Sequence, residues 1–165
     1  MRALVGLALL IALPARAEGP RVWAGPAVAV DPAFLAASGG ADWFFGSGGV
    51  GVMASHTLGV GDQLAAETGY GFLTAVGRLR APLGERLRAE VLAGAGVGRV
   101  RFGAPGAHTE LAPDVALGAA LGMSLGHRLE AAVEAATHLT FGERSAARNA
   151  AHASALVSLV LRWGG

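Results

Sequence analysis

The residues best suited to chemistry are a glutamate, a histidine and a threonine in the last third of the chain. Glu134, His138 and Thr140 are separated by four positions and by two. Residues at even spacing on a β-strand share one face, so the three side chains would lie in a row. A threonine hydroxyl becomes a nucleophile when a neighbouring base takes its proton. We therefore treat these residues as catalytic candidates for a hydrolase.

The other histidines give no second site. His56, His108, His127 and His152 are scattered, and no pair of them has the spacing of a metal-ligand cluster. The sequence has no Cys, so neither a thiolate site nor a disulfide framework is available. We therefore predict no metal site and no cofactor.

The amino terminus has the three parts of a secretory signal peptide. Arg2 is the positive start, residues 3–13 are an apolar run, and Ala15 and Ala17 give the small-residue cleavage site. The apolar run is far shorter than the roughly 20 residues with which a helix spans a bilayer. We predict that residues 1–17 are removed after Ala17, which leaves one domain over residues 18–165.

The mature chain is close to neutral. Of the 13 basic residues, 11 remain after removal of Arg2 and Arg16, and they face 12 acidic residues. All of the basic residues are Arg, and they form no basic patch of the kind that binds nucleic acid. We therefore predict no nucleic-acid partner.

Alternation of apolar and polar residues is the main structural signal, because a strand sends successive side chains to opposite faces. Eight segments of about 10 residues or more show it, which is the length a tilted strand needs to cross a membrane. They are residues 21–30, 49–58, 63–72, 75–83, 87–102, 114–125, 129–141 and 152–163. An even number is typical of bacterial barrels. The sequence therefore predicts an all-β fold, an eight-stranded antiparallel transmembrane up-and-down β-barrel.

A helical interpretation competes with this one in the last third of the chain. Ala and Leu are strong helix formers, and Glu130 and Glu134 also have helical spacing. Turn residues at 59–62, 84–86 and 126–128 recur at the spacing of strands, however. They favour the barrel.

The connections between segments divide into short and long ones. The three short turns are predicted on the periplasmic side, and residues 31–48, 103–113 and 142–151 are predicted as longer outer loops. The alternation changes parity between the third and fourth segments. Leu73 and Thr74 are therefore predicted to form a very tight connection there.

Charged residues fall opposite the apolar series within most segments. An Arg that faces lipid near the bilayer centre costs roughly 2–4 kcal/mol, so these side chains are expected inside. An eight-stranded barrel is just wide enough to be filled by side chains, which would pair as a polar core rather than line a pore. The predicted internal network is Glu67, Arg78, Arg80, Arg88, Glu90, Glu130, Glu134 and His138, with His138 beside Glu134.

The fifth segment has two further features. Gly94, Gly96 and Gly98 are expected to face inward and to leave room for the long Arg and Glu side chains opposite. Arg99 and Arg101 break the parity of the segment. Its end is therefore expected to project beyond the membrane.

Aromatic residues favour the two membrane–water interfaces of such barrels. Trp23 and Trp163, at the start of the first segment and the end of the last, are predicted at the periplasmic rim. The aromatic residues expected at the outer rim are Tyr70, Phe72, Phe102 and Phe141.

With this pattern the mature chain resembles the small eight-stranded outer-membrane barrels, the OmpA-like and OmpX-like group and the lipid A deacylase barrels. Residues 157–163 match their alternating last strand with its terminal aromatic Trp163, although two glycines trail it. The resemblance implies a monomer in the bacterial outer membrane, in contact with outer-membrane lipid and lipopolysaccharide. It also implies that the outer-membrane insertion machinery recognises the last strand.

The lipid A deacylase barrels carry a His-x-Ser pair on the penultimate strand and an acid about a dozen residues later. This chain has His138-Leu139-Thr140, with Thr in place of Ser and with His152 where the acid would fall. Alternation with Leu139 and Phe141 places His138 and Thr140 inside the barrel. Attack on a membrane lipid requires groups that the lipid can reach.

The sequence leaves three functions open. The favoured one is a non-enzymatic barrel with a filled polar interior that serves envelope structure or surface interaction through its outer loops. The second is a lipid A deacylase-like hydrolase that uses His138 and Thr140. The third is a soluble periplasmic ligand-binding barrel whose apolar faces are turned inward.

Overall fold

The computed structural model of this chain describes residues 19–30, 33–57, 67–102, 109–141 and 151–164, with some side chains at the strand ends left undescribed. Each strand in this part pairs antiparallel with the next, and the last pairs with the first, so the sheet closes into a barrel. The strands are β1 (Arg21–Val30), β2 (Ala33–Phe45), β3 (Gly48–Thr57), β4 (Glu67–Pro82), β5 (Leu87–Phe102), β6 (Thr109–Ser124), β7 (Leu129–Phe141) and β8 (Ala151–Gly164). Closure pairs the backbone polar groups without a free edge, as a structure that spans hydrocarbon requires.

The two ends of the barrel differ in their connections. One end, called the turn end below, carries the turns at residues 46–47, 83–86 and 125–128 and both ends of the described barrel. The opposite end is called the loop end. Its strands lead into residues 31–32, 58–66, 103–108 and 142–150, which lie outside the described part of the chain.

Side chains alternate between a buried inner face and an exposed outer face. On β7 the inner residues Glu130 and Glu134 are at most 6% exposed, whereas Val133 between them is 51% exposed. The same inversion holds on β8, where Arg162 is buried and Leu161 is 57% exposed. Apolar outside and charged inside is the pattern of a barrel wall that faces lipid. The soluble alternative needed the apolar faces inside and is therefore wrong for the described strands.

The height of the wall fits a membrane. β7 has 13 residues, and at about 3.3 Å per residue and a tilt of about 40° it spans about 30 Å along the barrel axis. That is close to the thickness of the hydrocarbon core of a bilayer. No helix in the described part of the chain is long and apolar enough to span a membrane.

The predicted strand count is confirmed, but two of the assignments behind it are wrong. The first error is residues 31–48, predicted as an outer loop, most of which form β2. The inner residues of β2 include Ala36, Ser38 and Gly40, which give almost no contrast with the neighbouring small residues. Pairing with β1 on one side and β3 on the other makes this segment a strand.

The second error is the tight connection predicted at Leu73 and Thr74. Both residues lie within the single long strand β4, whose pairing with β5 runs without a break from Gly69 to Pro82. Phe72 and Val76 are apolar but face inward, so both faces of the strand are apolar there. The alternation changes there because β4 passes an apolar layer of the interior, where its inward side chains are apolar as well. The strand itself does not break.

Because of these two corrections, one connection lies at the opposite end of the barrel from the end predicted for it. The turn residues 59–62, predicted on the same side as 84–86 and 126–128, belong to the connection that leaves β3 at the loop end. Their own structure lies outside the described residues, as does that of the predicted signal peptide. The signal peptide stays a prediction.

The interior is packed tightly enough that one glycine determines where a tryptophan fits. Gly40 on β2 pairs with Trp23 on β1, and a Cβ built on Gly40 would lie 2.7 Å from the indole ring and closer still to the carbonyl oxygen of Val52. Trp23 is 4% exposed as a result. The indole can turn inward only because its neighbour has no side chain.

We expect Gly40→Leu to lower the free energy of unfolding by about 1–3 kcal/mol, because overpacking would displace Trp23. The same exchange at Gly77 is the matched control, since Gly77 faces outward and its nearest contact is Ala93 O at 3.8 Å. Gly77→Leu should leave stability unchanged or raise it. Urea titration of refolded barrels, read by heat-modifiable gel migration, measures both. Equal losses at the two positions would contradict the inward placement of Trp23.

Candidate functional site in the barrel interior

The turn-end half of the interior holds a network of ion pairs that crosses the lumen. Its members come from six strands and are each at most 6% exposed: Arg21, Asp42, Arg78, Glu90, Glu130, Glu134 and Arg162. Strand parity turns all of them inward. An eight-stranded barrel is narrow enough for side chains from opposite walls to meet, and here they do.

Arg78 is the centre of this network. Its Nε donates to Asp42 Oδ1 at 3.0 Å, and its Nη1 donates to Glu134 Oε2 at 2.7 Å and to Glu90 Oε2 at 3.4 Å. The side chain is 1% exposed, and its guanidinium carbon lies 5.3 Å from the centre of the Trp23 ring. One guanidinium therefore joins carboxylates from β2, β5 and β7.

Two further arginines bind the same carboxylates. Arg162 Nη1 lies 2.8 Å from Glu130 Oε1 and 3.0 Å from Glu90 Oε2, and its Nη2 donates to Glu134 Oε2 at 3.0 Å. Arg21 Nη2 lies 3.1 Å from Glu90 Oε1. Each carboxylate is therefore held by more than one arginine, which is the arrangement that compensates burial of charge.

The remaining arginines of the predicted network lie at the turn-end mouth. Arg88 Nη1 is 3.7 Å from Glu130 Oε2 with 41% of its side chain exposed, so it is an outer member of the network. Arg80 stacks on Phe44 at 4.4 Å and donates from Nε to Gly46 O at 3.2 Å. With Arg88 included, four arginines face four carboxylates, so the network is neutral when all are ionised.

An apolar layer covers this network on the side of the loop end. It contains the buried residues Trp23, Met53, Val76, Leu92, Ala116, Ala132, Ala136 and Val160. Close packing of these side chains leaves no polar path along the axis among the described residues. The interior is filled rather than open.

A second polar cluster lies beyond the apolar layer. His138 Nδ1 is 2.8 Å from Asp114 Oδ2, and Thr74 Oγ1 donates to the same oxygen at 3.0 Å. The ring of Phe72 stacks on the imidazole at 3.9 Å between centroids. His138 therefore pairs with Asp114, and the expectation that it lies beside Glu134 is wrong.

This cluster brings together an acid, a histidine and a threonine, but it is sealed. Asp114, His138 and Thr140 are each at most 2% exposed. All three face the lumen, and Leu139 and Phe141 face the other way. Among the described residues, no group of three His, Cys, Asp or Glu is arranged to hold a metal ion. A lipid substrate has no route to the hydroxyl of Thr140 through the wall.

Most of the predicted interior residues face the lumen. Arg78, Glu90, Glu130 and Glu134 lie in the ion-pair network, Arg80 and Arg88 lie at its mouth, and His138 lies in the second cluster. The side chain of Glu67 is not among those that the structure describes. The prediction for the glycines needs correction, because Gly94 and Gly98 make room for Thr74, Val76, Phe72 and Thr140 rather than for Arg and Glu.

Two of the aromatic predictions are wrong. Trp23 and Phe72 were expected at the membrane interfaces, but both point into the barrel and are at most 5% exposed. Their strand positions have inward parity, and small neighbours leave room for the rings. Trp163 at the turn end and Phe141 at the loop end are 60% and 51% exposed on the outer face. The side chains of Tyr70 and Phe102 are outside the description.

The sequence prediction missed four members of the interior. Arg21 is the first residue of its strand, and Asp42 lay in a segment predicted as a loop. Asp114 and Arg162 stood on polar faces in the alternation but had no partner that the sequence could name. Their partners lie on other strands, and only the register of the closed sheet brings them together.

A closed eight-stranded barrel with an apolar outer wall and an ion-paired interior is the architecture of the small outer-membrane barrels. Neisserial surface protein A has this fold with a TM-score of 0.72 at 10% identity, over 90% of this chain and 99% of that chain. The N-terminal barrel domain of OprF from Pseudomonas aeruginosa gives 0.68 at 10% identity, over 91% and 100%. The attachment invasion locus protein Ail of Yersinia pestis gives 0.55 at 12% identity, over 92% and 99%.

These similarities are similarities of fold. No family model matches the sequence, and no curated protein matches it. The chain is thus similar in architecture to three bacterial outer-membrane barrels, and the roles of its own residues follow from their contacts.

We expect Arg78→Met to lower the free energy of unfolding by about 3–5 kcal/mol, because it leaves buried carboxylates without their partner. Arg86→Met removes the same charge from the exposed turn at the turn end and should have little effect. Adding Glu134→Gln to Arg78→Met should recover part of the loss, and the double-mutant cycle measures the coupling. Strictly additive losses would show that the two residues do not act as a pair.

Proposed function

We propose that this chain is a non-enzymatic barrel of the bacterial outer membrane that serves envelope structure or surface interaction through its outer loops. The observation that carries the proposal is the filled interior. The network around Arg78 and the apolar layer around Trp23 and Val160 occupy the lumen, which leaves the barrel no conducting role. What remains for interaction is the outer wall and the loops.

The proposed orientation places the turn end in the periplasm and the loop end at the cell surface. Short periplasmic turns and longer outer connections are the rule in such barrels. The turns at the turn end are two and four residues long. At the loop end residues 58–66, 103–108 and 142–150 form longer connections, and residues 31–32 form a short one. Both ends of the described barrel then lie on the periplasmic side.

The proposed partners follow from the apolar outer face of the barrel. Outer-membrane lipid and lipopolysaccharide would cover the apolar face, on which Leu159, Leu161 and Trp163 are 57–60% exposed. The outer-membrane insertion machinery would recognise the same last strand. Closure leaves no strand edge for another copy, so the proposed state is a monomer.

A role in surface interaction has one parallel among proteins of this fold. Ail of Yersinia pestis was crystallised in complex with the heparin analogue sucrose octasulfate. A barrel similar in fold to this one therefore binds a ligand. For this chain we propose that the barrel is the anchor and that the loops carry the contacts.

We expect the expressed chain to fractionate with the outer membrane and to migrate differently on gels before and after heating. The purified barrel, inserted in planar bilayers, should give no discrete conductance steps, because buried side chains fill its lumen. Insertion is verified on the same sample by heat-modifiable migration. Regular steps from a verified barrel would refute the filled interior, and recovery without detergent would refute the membrane location.

The deacylase alternative predicts release of acyl chains from lipid A, with loss of activity in Thr140→Ala. We expect no release by either protein, because Thr140 and His138 are buried inside the wall. The assay uses the folded barrel in detergent with purified lipid A and detects free fatty acid. If the unaltered chain released fatty acid and Thr140→Ala did not, the deacylase alternative would be correct.

A further inference from the structure

Among the strand residues whose side chains are described, the outer wall carries a single charged group. It is Arg99 on β5, and the other outward-facing residues of this set are apolar residues, glycines, two threonines and one histidine. An Arg that faces lipid costs roughly 2–4 kcal/mol at the bilayer centre and about 0–1 kcal/mol near an interface. Its depth therefore decides what it can contact.

Arg99 lies at the level of the loop-end rim. It stands twelve positions after Leu87, and the exposed aromatic Phe141 stands twelve positions after Leu129 on β7. Leu87 and Leu129 both follow turns at the turn end. Aromatic residues on the outer face of a barrel mark the membrane interface. Arg99 is therefore at the depth of lipid headgroups.

His56 is the second member of this site. It faces outward on β3 and pairs with Gly71, which in turn pairs with Arg99. A Cβ built on Gly71 would lie 3.1 Å from His56 Nδ1 and 4.0 Å from Arg99 Nε, so both side chains reach over the glycine. Two strand spacings separate the backbones of His56 and Arg99 by about 10 Å. Over Gly71 the two nitrogens are no farther apart than the sum of their distances to that Cβ position, so one small anion can contact both.

The surroundings of this pair are apolar. Directly toward the turn end, the wall continues with Ala54, Leu73 and Val97, of which Leu73 is 63% and Val97 50% exposed. Among the carboxylates whose side chains are described, none forms an ion pair with Arg99 or His56. The site therefore opens sideways into the bilayer, with cationic and hydrogen-bonding groups at headgroup depth and an acyl-binding surface below them.

We propose that Arg99 and His56 bind the phosphate of a phosphorylated lipid in the outer leaflet, over Gly71, with its acyl chains against Leu73 and Val97. A guanidinium binds phosphate through two parallel hydrogen bonds, and the imidazole supplies a further N–H. A soluble anion would gain nothing from the apolar wall below. This inference rests on the proposed outer-membrane location and adds the class of lipid that the wall selects.

The test measures retention of lipid by the folded barrel. Barrels in phosphatidylcholine nanodiscs that contain a small fraction of bis-phosphorylated lipid A are released into detergent, and bound lipid is counted by native mass spectrometry. Arg99→Gln should reduce retention at least about fivefold, as loss of a charge-assisted contact implies, and His56→Gln should reduce it by less. Arg86→Gln, which removes the same charge from the opposite end, should retain lipid like the unaltered chain.

Two further arms separate phosphate recognition from charge and from folding. Gly71→Val keeps both side chains but fills the space over the glycine toward which they reach, so it should lose retention as Arg99→Gln does. Lipid A without phosphates should not be retained, and millimolar inorganic phosphate should not displace the phosphorylated lipid. Equal retention by the unaltered chain, Arg99→Gln and Gly71→Val, or equal retention of the phosphate-free lipid, would overturn the site.

The outcomes distinguish this proposal from the proposed function. Each variant is first checked for heat-modifiable migration, which reports a folded barrel. An unaltered chain that does not insert into nanodiscs overturns the membrane location itself. Folded variants that all retain lipid equally overturn the phosphate site and leave the membrane barrel intact.

Discussion

The contact between Arg78 and the carboxylates of Asp42, Glu90 and Glu134 is the interaction on which the rest of the interior depends. These charges cannot be hydrated, because the barrel around them is filled and the wall outside is apolar. Their burial is tolerable only when each charge has partners within hydrogen-bond distance. That requirement fixes the rotation of every strand that contributes a member. A slip of one residue would turn those charges toward lipid.

Space inside the barrel is as important as charge. The lumen is narrow, so long side chains need small neighbours: Gly40 beside Trp23, Gly122 beside Glu130, and Gly98 beside Phe72 and Thr140. The result is a layered interior, with a charged layer at the turn end, an apolar layer above it, and the pair Asp114 and His138 toward the loop end.

The sequence predicted the class of fold well and the site in part, for identifiable reasons. Alternation is strong where one face is apolar and the other charged, and β5 and β7 were therefore predicted with their observed bounds. It fails where both faces are small, as in β2, or where both are apolar, as around Phe72 in β4. The preference of aromatic residues for membrane interfaces did not predict that Trp23 points into the barrel. Trp23 does so beside a glycine that only the pairing of β1 with β2 places opposite it. The partners of Arg78 and His138 were not predictable, since they depend on register between strands distant in the chain.

The ion-pair network also has a consequence for how the barrel enters a membrane. Arg21 and Arg162 lie on β1 and β8, the two strands that meet at the seam, and both bind Glu90 and Glu130. A barrel with an open seam would keep the contact of Arg162 with Glu130, because these residues pair on the adjacent strands β8 and β7. It would lose the contacts that Arg21 on β1 makes with Glu130 on β7 and with Glu90 on β5. Full pairing of the interior charges therefore requires that the last strand has joined the first. Pairing of β1 with β8 is therefore also the step that completes the compensation of the buried carboxylates.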